Sequence, residues 1–329
     1  MGVVIDQNKN YGGIFGSVYR SSAIFYKPPK ISCTVSVSNY WDFKNSIEVG
    51  VVVTLRKMSG KLIDRKEYRF DDANVLNIKT DNLEEGSIEV ESFSNRNVRI
   101  PYAAVMAVYE TDVSVSMVHS YGRNHSLIEL EDKNSLTEGR ESCWTVRSSE
   151  SVLNSAFFHN GHLKVESQIV KIILTDTNGV DKVYDFKIPD IKPFETIKFS
   201  LDKICPDYKN FLNGLDGWAS IHFNNHSSFT RLLVTWEDKD TGHFQVTHSN
   251  FDYSEHQTNL ISATKPAYMK LPKIDGLNTL SATVYPKFTP GKYTAKTGDS
   301  TFNFEIIEND HIINISNGGG WEDRIVSIL

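Results

Sequence analysis

The sequence has little cysteine, no excess of basic charge and no run of lysine or arginine. Its three cysteines, Cys33, Cys143 and Cys205, are odd in number and widely spaced. That spacing argues against a disulfide framework or a CxxC metal site and predicts reduced, mostly buried thiols. The formal net charge of −6 lacks the basic footprint of a protein that binds nucleic acid, so no nucleic-acid partner is predicted.

Long hydrophobic runs are also missing. The longest apolar stretch, residues 100–109, is too short to cross a bilayer, so we predict no membrane span and interpret it as a buried strand. The first residues lack the charged segment and apolar core of a secretory signal. We therefore expect the protein in the cytoplasm, or assembled into a larger particle or surface structure without a cleaved signal peptide.

No motif of a large enzyme class is present. The chain has no GxSxG elbow, no Walker loop, no HExxH helix and no GxGxxG that opens a helix after a strand. A pair of glycosidase carboxylates on different strands leaves no local motif, however, so a carbohydrate-active enzyme stays an alternative. No cofactor is predicted.

The chain does contain a long succession of short segments with the two-residue period of β-strands. Residues 31–41 alternate apolar and polar side chains, and residues 47–55 have the length of a buried strand. Helical periodicity is convincing only at residues 202–215, where Pro206 and Gly214 limit a helix to two or three turns. The sequence therefore predicts an all-β fold.

The order of these segments occurs twice. Residues 47–70 and 167–189 each give an apolar strand, a glycine turn and an alternating strand that contains a tyrosine. Residues 87–122 and 218–252 each end in a strand that is followed by His-Ser. We therefore predict two tandem homologous β-sandwich domains. The predicted parts are an N-terminal arm (1–30), sandwich repeat 1 (31–130), a linker (131–144), sandwich repeat 2 (145–262) and a small C-terminal β unit (264–329).

Histidine and carboxylate side chains are concentrated in residues 245–256, where His248 precedes Asp252 and His256. Metal sites and acid–base pairs use such side chains. His119 has the same position in the first repeat, at the end of a strand, whereas Asp252 has no acidic counterpart there. The repeat therefore favours a structural role, in which His248 bonds a nearby loop and His256 is not its partner. No metal is predicted.

Other candidates for ligand binding are a histidine turn and several aromatic residues. His159 and His162 stand three apart in the turn HNGH and would share a metal only if the turn folded them together. Aromatic residues beside polar ones form sugar platforms when exposed, but in strands they also fill cores. The candidate ligand-binding residues are Tyr40, Trp41, His119, His159, His162, Trp218, His248 and Asp252.

Three segments carry a resemblance to a known family: WASIHFNN (218–225), FQVTHSNFDYSEH (244–256) and SMVHSYGRNHS (116–126). Their order, an ASI strand with an asparagine-rich turn before a strand that ends in a histidine–hydroxyl pair, resembles the sensory rhodopsin transducer family of small β-sandwiches. The resemblance implies non-enzymatic, oligomeric sandwiches that bind a partner or a small ligand. It implies no rhodopsin for this chain, whose two fused repeats and extra terminal segments depart from the family.

Together these observations predict a non-catalytic binding or assembly protein that acts through sandwich surfaces. We expect self-association into a homo-oligomer and a carbohydrate or protein ligand. The alternative, from a different class, is a carbohydrate-active or metal-dependent enzyme with its site in the second sandwich.

Overall fold

The fold is known from a computed structural model of the chain. It describes residues 21–94, 104–119, 123–124, 136–176, 180–251, 267–270, 279–284, 291–297, 300–306, 313–318 and 325–328. Within these ranges, helix is confined to three segments of four to six residues, and the strands pair antiparallel. The all-β prediction is confirmed. Asp252, His256 and residues 1–20 of the predicted arm lie outside the described residues.

The first half of the chain, up to residue 124, contains two four-stranded sheets. Sheet 1 has the strand order β1-β6-β3-β4, and sheet 2 has the order β5-β2-β7-β8. Alternate apolar side chains of both sheets fill one core, as the two-residue period requires. The elements are β1 (Ser21–Lys27), β2 (Ser32–Ser38), α1 (Tyr40–Asn45), β3 (Val49–Lys57), β4 (Leu62–Tyr68), β5 (Val75–Lys79), β6 (Gly86–Ser94), β7 (Val105–Glu110), β8 (Val115–Val118) and β9 (Arg123–Asn124).

The second half, residues 136–251, contains two further sheets. Sheet 3 has the order β14-β11-β17-β18, sheet 4 has the order β13-β12-β15-β10-β19, and β16 pairs with β9. The elements are β10 (Thr137–Val146), β11 (Val152–His159), β12 (Gln168–Thr175), β13 (Asp181–Ile188), β14 (Thr196–Ser200), α2 (Leu201–Ile204), α3 (Tyr208–Leu212), β15 (Gly217–Asn225), β16 (Ser227–Phe229), β17 (Leu233–Asp238), β18 (Phe244–His248) and β19 (Asn250–Phe251).

The two halves share one strand order. Sheet 2 and sheet 3 match strand for strand, with β5, β2, β7 and β8 in the places of β14, β11, β17 and β18. Sheet 1 and sheet 4 match in the same way, except that β19 is added beside β10. A tandem repeat would give this agreement. The common origin of the halves and the predicted boundaries stay predictions.

Two strands lie in segments that the sequence predicts to be connections. β1, assigned to the arm, pairs with β6 along its whole length, from Ser21 opposite Ser92 to Lys27 opposite Gly86. β10, assigned mostly to the linker, pairs with β15, and its register shifts between Glu141 and Trp144. That irregularity interrupts the alternation of side chains, which hides the strand in the sequence.

Sheet 3 is buried on both faces. On β11, Ala156 and Phe158 belong to the core of the second half, whereas Phe157 between them belongs to the core of the first half. The ring of Phe157 stacks on that of Tyr26 in β1, with the ring centroids 3.5 Å apart. On β17, Leu233 likewise faces the first core. The two halves are therefore packed together through sheet 3.

The edges of sheet 2 and sheet 3 meet at β8 and β18. The backbone N–H of Phe244 donates to Oγ of Ser114 at 3.1 Å, and the N–H of Val246 donates to Oγ of Ser116 at 3.0 Å. Serine hydroxyls thus satisfy backbone groups of β18 that would otherwise form an open sheet edge. Because the contacts advance in the same direction along both strands, the ends of β8 and β18 lie side by side.

The described residues of the predicted C-terminal unit are all in strands. Four strands form a sheet of order β20-β25-β22-β23, and β21 pairs with β24. No helix in the described part of the chain is long and apolar enough to span a membrane. The strands are β20 (Ala267–Lys270), β21 (Thr279–Val284), β22 (Gly291–Thr297), β23 (Ser300–Ile306), β24 (Ile313–Gly318) and β25 (Ile325–Ile328).

Candidate functional site

The histidines at the ends of β8 and β18 meet at the contact between sheet 2 and sheet 3. Nε2 of His119 and Nε2 of His248 are 3.4 Å apart, and the two rings are nearly perpendicular. Nδ1 of His248 donates to the carbonyl oxygen of Ser249 at 2.6 Å. The sequence predicts a bond from His248 to a nearby loop, whereas this bond goes to the adjacent residue Ser249. The sequence did not predict that His119 and His248 would touch each other.

Both histidines of this pair have a pKa below the usual value. Partial desolvation at the contact between the two sheets is the main cause for each, and the guanidinium of Arg231 adds to it. For His248, His119 lowers the pKa further, while the hydrogen bond to Ser249 acts in the opposite direction. Both imidazoles are therefore neutral at neutral pH, which leaves a lone pair on one nitrogen of each ring.

His159 and His162 lie in different surroundings. His159, at the end of β11, is buried, and its Nδ1 is 2.7 Å from Oγ1 of Thr196. His162 packs its ring against Phe194, with the ring centroids 4.6 Å apart. Between them, Asn160 donates through Nδ2 to the carbonyl of Leu163 at 2.8 Å and to that of Lys192 at 2.9 Å. The turn HNGH thus fixes the neighbouring loop.

Burial lowers the pKa of His159 from its usual 6.5 to about 3. In the unfolded chain this imidazole takes up a proton near pH 6.5, so between pH 6.5 and 3 the unfolded state binds one proton more. The stability that neutral His159 contributes is therefore fully present above pH 6.5 and is lost as the pH falls toward 3. Through this histidine the wild type should lose about 2 kcal/mol of its free energy of unfolding between pH 7.5 and pH 5, and His159→Gln should not show this loss. Urea denaturation at both pH values measures it.

The control for this prediction is His243→Gln. His243 is exposed and bonds Oγ1 of Thr241 in a hairpin, so its replacement should leave the pH dependence unchanged. If the free energy of unfolding changed with pH identically in the wild type and in His159→Gln, the low pKa of His159 would be contradicted.

The aromatic candidates do not form one platform. Tyr40 and Trp41 lie on α1, half-buried and edge to face with ring centroids 5.4 Å apart. Lys44 donates from Nζ to Oη of Tyr40 at 2.7 Å. Trp218 lies in β15 of the second half and is also half-buried. Across the described residues, no group of three His, Cys, Asp or Glu side chains could hold a metal ion.

A cleft of about 240 Å³ opens on the side of the first half, between the edge strands β4 and β5. We call it the side cleft. Its floor is apolar, because Val53, Leu55 and Ile78 belong to the core of the first half. Its walls are polar, and none of their residues was a sequence-based candidate. The lining residues are Val53, Leu55, Asp64, Lys66, Tyr68, Ile78, Lys79, Thr80, Asp81 and Asn82.

The polar wall on β4 faces the core. In the antiparallel pair of β3 and β4, Leu55 lies opposite Asp64 and Val53 lies opposite Lys66. Directly opposed residues point to the same face of a sheet, so Asp64 and Lys66 share the face of buried valine and leucine side chains. Polar side chains such as Asp64 and Lys66 extend toward solvent and do not pack onto the core, so the space beside β4 stays open.

In the second half, aromatic side chains and helices occupy the corresponding place. On β13, Tyr184 lies opposite Ile172 and Phe186 lies opposite Val170, and both aromatics pack against the second core. Helices α2 and α3 follow β14 and insert Leu201 into that core. The second core also takes Ile204, Cys205, Tyr208 and Leu212 from this helical segment.

Hydrogen bonds hold this helical segment against β13. Oη of Tyr184 donates to Asp207 at 2.8 Å, and Lys182 forms an ion pair with the same carboxylate. In the first half, β5 and β6 are joined by residues 80–85 alone, without a helix. The side cleft is therefore the space that the helical segment fills in the second half.

The charges in the side cleft are balanced and partly fixed in position. Oδ2 of Asp64 accepts hydrogen bonds from Nζ of Lys66 at 2.8 Å and from Nδ2 of Asn82 at 3.1 Å. The bond from Lys66 is the main cause that lowers the pKa of Asp64, so this carboxylate is ionised at neutral pH. Asp81 and Lys79 add a second acid and a second base.

No protein-family model matches this chain, and no curated protein matches it significantly. The class of the protein therefore follows from the fold and the site alone. It is an all-β protein of sandwich-like paired sheets, with a polar cleft on the side of its first half.

Proposed function

We propose that this protein is a non-catalytic binding protein whose side cleft takes one neutral sugar ring or a similar small polyol. One observation carries the proposal: the cleft is open in the first half, whereas helices fill the same place in the second half. If both halves had only a structural role, the simplest arrangement would fill this place with side chains in each of them. An open, polar place in only one of them points to a ligand.

The chemistry of the walls favours a neutral, hydroxylated ligand. Asp64 and Asp81 accept hydrogen bonds, whereas Lys66, Lys79 and Asn82 donate them. Because the lining contains two carboxylates and two ammonium groups, it has no net charge to attract a strongly charged ligand. Each hydroxyl of a sugar both donates and accepts, which a mixed lining satisfies.

The floor and the size of the cleft narrow the ligand further. The apolar floor suits the C–H face of a sugar ring, and Tyr68 adds an aromatic side chain on one wall. The volume of about 240 Å³ is below the range of about 300 to 1,000 Å³ for sites of drug-sized ligands. A single ring fits this size better than an oligosaccharide.

This proposal retains the binding part of the sequence-based hypothesis and moves its site to the first half. The resemblance to the sensory rhodopsin transducer family supports it, since that family implies sandwiches that bind a partner or a small ligand. Self-association stays a prediction, which light scattering of the full chain tests. A second-half enzyme stays the alternative hypothesis.

Saturation-transfer NMR with a panel of neutral monosaccharides and polyols tests the proposal. We expect at least one of them to bind the wild type, and we expect Asp64→Ala and Asn82→Ala each to weaken binding by about 10-fold or more, because each removes hydrogen bonds to a charged or amide group. Lys66→Tyr should block binding, since Lys66 lies opposite Val53 of the first core as Tyr184 lies opposite Ile172 of the second, and a tyrosine ring there would fill the space.

Glu67→Ala is the matched control, because Glu67 lies on β4 between Lys66 and Tyr68 and points to the opposite face. It should bind like the wild type. Inward charges on an edge strand can also serve only to prevent strand pairing between molecules. If no neutral hydroxylated ligand binds, and Lys66→Tyr merely aggregates, the side cleft is such a protective device and the proposal is wrong.

A further inference from the structure

Two imidazoles approach each other closely where β8 and β18 end, those of His119 and His248. The 3.4 Å between their Nε2 atoms is long for a hydrogen bond between two nitrogens. It matches another geometry: two nitrogens bound about 2.0–2.1 Å from one tetrahedral zinc ion lie about 3.4 Å apart. We infer that His119 and His248 form a binding site for one divalent late first-row transition metal ion, with Zn²⁺ as the reference case.

The hydrogen bond of His248 prepares its ring for this role. A backbone carbonyl only accepts, so the 2.6 Å contact with Ser249 places the proton of a neutral imidazole on Nδ1. The lone pair is then on Nε2, the atom that faces His119. A metal-bound histidine almost always donates its other N–H to a carbonyl or carboxylate in this way, which fixes the tautomer and the ring orientation.

The position of the pair leaves room for further ligands. His119 is exposed and His248 is half-buried, so solvent reaches the site and water completes the coordination. Imidazole ligands suit zinc, copper and nickel better than magnesium or calcium, which prefer oxygen. With two protein ligands the site holds its ion less tightly than a closed structural site of four.

Arg231 sets a limit on the affinity. Its Nη1 atom lies 3.4 Å from Nδ1 of His248, on the opposite side of the ring from Nε2. A guanidinium is always charged, and its field opposes a second cation nearby. Removing this charge should therefore strengthen metal binding.

The site also has a structural consequence. His119 follows the last strand of sheet 2, and His248 ends the last strand of sheet 3. A metal ion bound by both would add a link between the two halves beside the serine contacts of β8 and β18. An ion that binds only the folded chain raises its stability in proportion to the logarithm of the ion concentration above Kd.

Calorimetric titration of the tag-free full chain with zinc chloride tests this inference. We expect one zinc per chain to bind at this pair, together with a rise of the thermal midpoint. His119→Gln and His248→Gln should each weaken binding more than about 10-fold, since even a lost outer partner of a ligand costs about 10–100-fold. Arg231→Gln should strengthen binding several-fold.

His243→Gln is the matched control, because His243 is exposed and lies at the other end of β18. It should bind zinc like the wild type. Binding that is unchanged in both pair variants would place the ion on other histidines and overturn the inference, as would the absence of binding at millimolar zinc. If His248→Gln fails to fold, His119→Gln decides the matter, because His119 is exposed.

Discussion

Gly86→Ala is expected to destabilise the protein by about 3–5 kcal/mol, the sum of a backbone strain and an overpacking cost. Gly86 begins β6 with φ of +154° and lies opposite Lys57 in β3 and Lys27 in β1. A Cβ at this position would be 1.9 Å from the carbonyl oxygen of Arg56. Backbone cannot move aside as a flexible side chain can, so β3 and β6 must separate locally.

The same substitution should also affect the side cleft. Gly86 directly follows the connection that contains Asp81 and Asn82, and β3 supplies Val53 and Leu55 of the cleft floor. We therefore expect Gly86→Ala to lose ligand binding at temperatures where the chain is still folded. Urea denaturation followed by tryptophan fluorescence measures the loss of stability, and the NMR assay measures the loss of binding.

Gly214→Ala is the matched control. Gly214 also has a positive φ, +79°, but apart from its own chain neighbours no residue comes within 4 Å of the place that a Cβ would take there. Only the backbone strain of about 1 kcal/mol then applies. Equal effects of the two substitutions would show that the contact with Arg56 has no energetic weight.

Phe157→Ala and Phe158→Ala are expected to have similar total costs but different locations. Each removes a fully buried ring, 1% and 2% exposed, and such truncations cost about 3–5 kcal/mol. Phe157 belongs to the core of the first half and stacks on Tyr26, whereas Phe158 belongs to the core of the second half and packs on Phe223. Comparing these two variants therefore distinguishes the contributions of the two faces of sheet 3.

Hydrogen exchange under native conditions reads out the location. Phe157→Ala should speed exchange in β1 and β7, and Phe158→Ala should speed it in β12 and β15, because local opening follows the core that has lost its side chain. Tyr26→Ala should give the pattern of Phe157→Ala. If Phe157→Ala costs less than about 1 kcal/mol, sheet 3 is not an energetic link between the halves.

The amino-acid sequence by itself determined the all-β class and most of the strands, though not β1 and β10. The alternation of residues 31–41 and the apolar run of residues 47–55 predict strands, and the structure has β2 and β3 there, although residues 40–45 form α1. The limits at Pro206 and Gly214 likewise keep the helix predicted at residues 202–215 to the short segments α2 and α3, whereas α1 was not predicted. Cys33 and Cys205 are buried free thiols, as their spacing predicts. These features depend on neighbours in the chain, so they are visible before folding.

The sequence indicated less clearly which faces of a strand are buried. Residues 100–109 predicted a buried strand, but the described part, β7, alternates, and Met106 is 39% exposed. An apolar run shows that a strand is present without showing whether both of its faces are covered. β4 has polar side chains on both faces, so nothing in its sequence indicated that Asp64 and Lys66 line a cleft.

Tertiary structure alone decided which surfaces meet. His119 and His248 are 129 positions apart, and they touch next to the place where Ser114 and Ser116 accept hydrogen bonds from the backbone of β18. Sheet 3 has two buried faces because Phe157 meets Tyr26 of another sheet. The side cleft exists because residues 80–85 contain no helix to fill it. Each of these depends on packing between sheets, where the free energy comes from surfaces that are distant in sequence and that local periodicity does not encode.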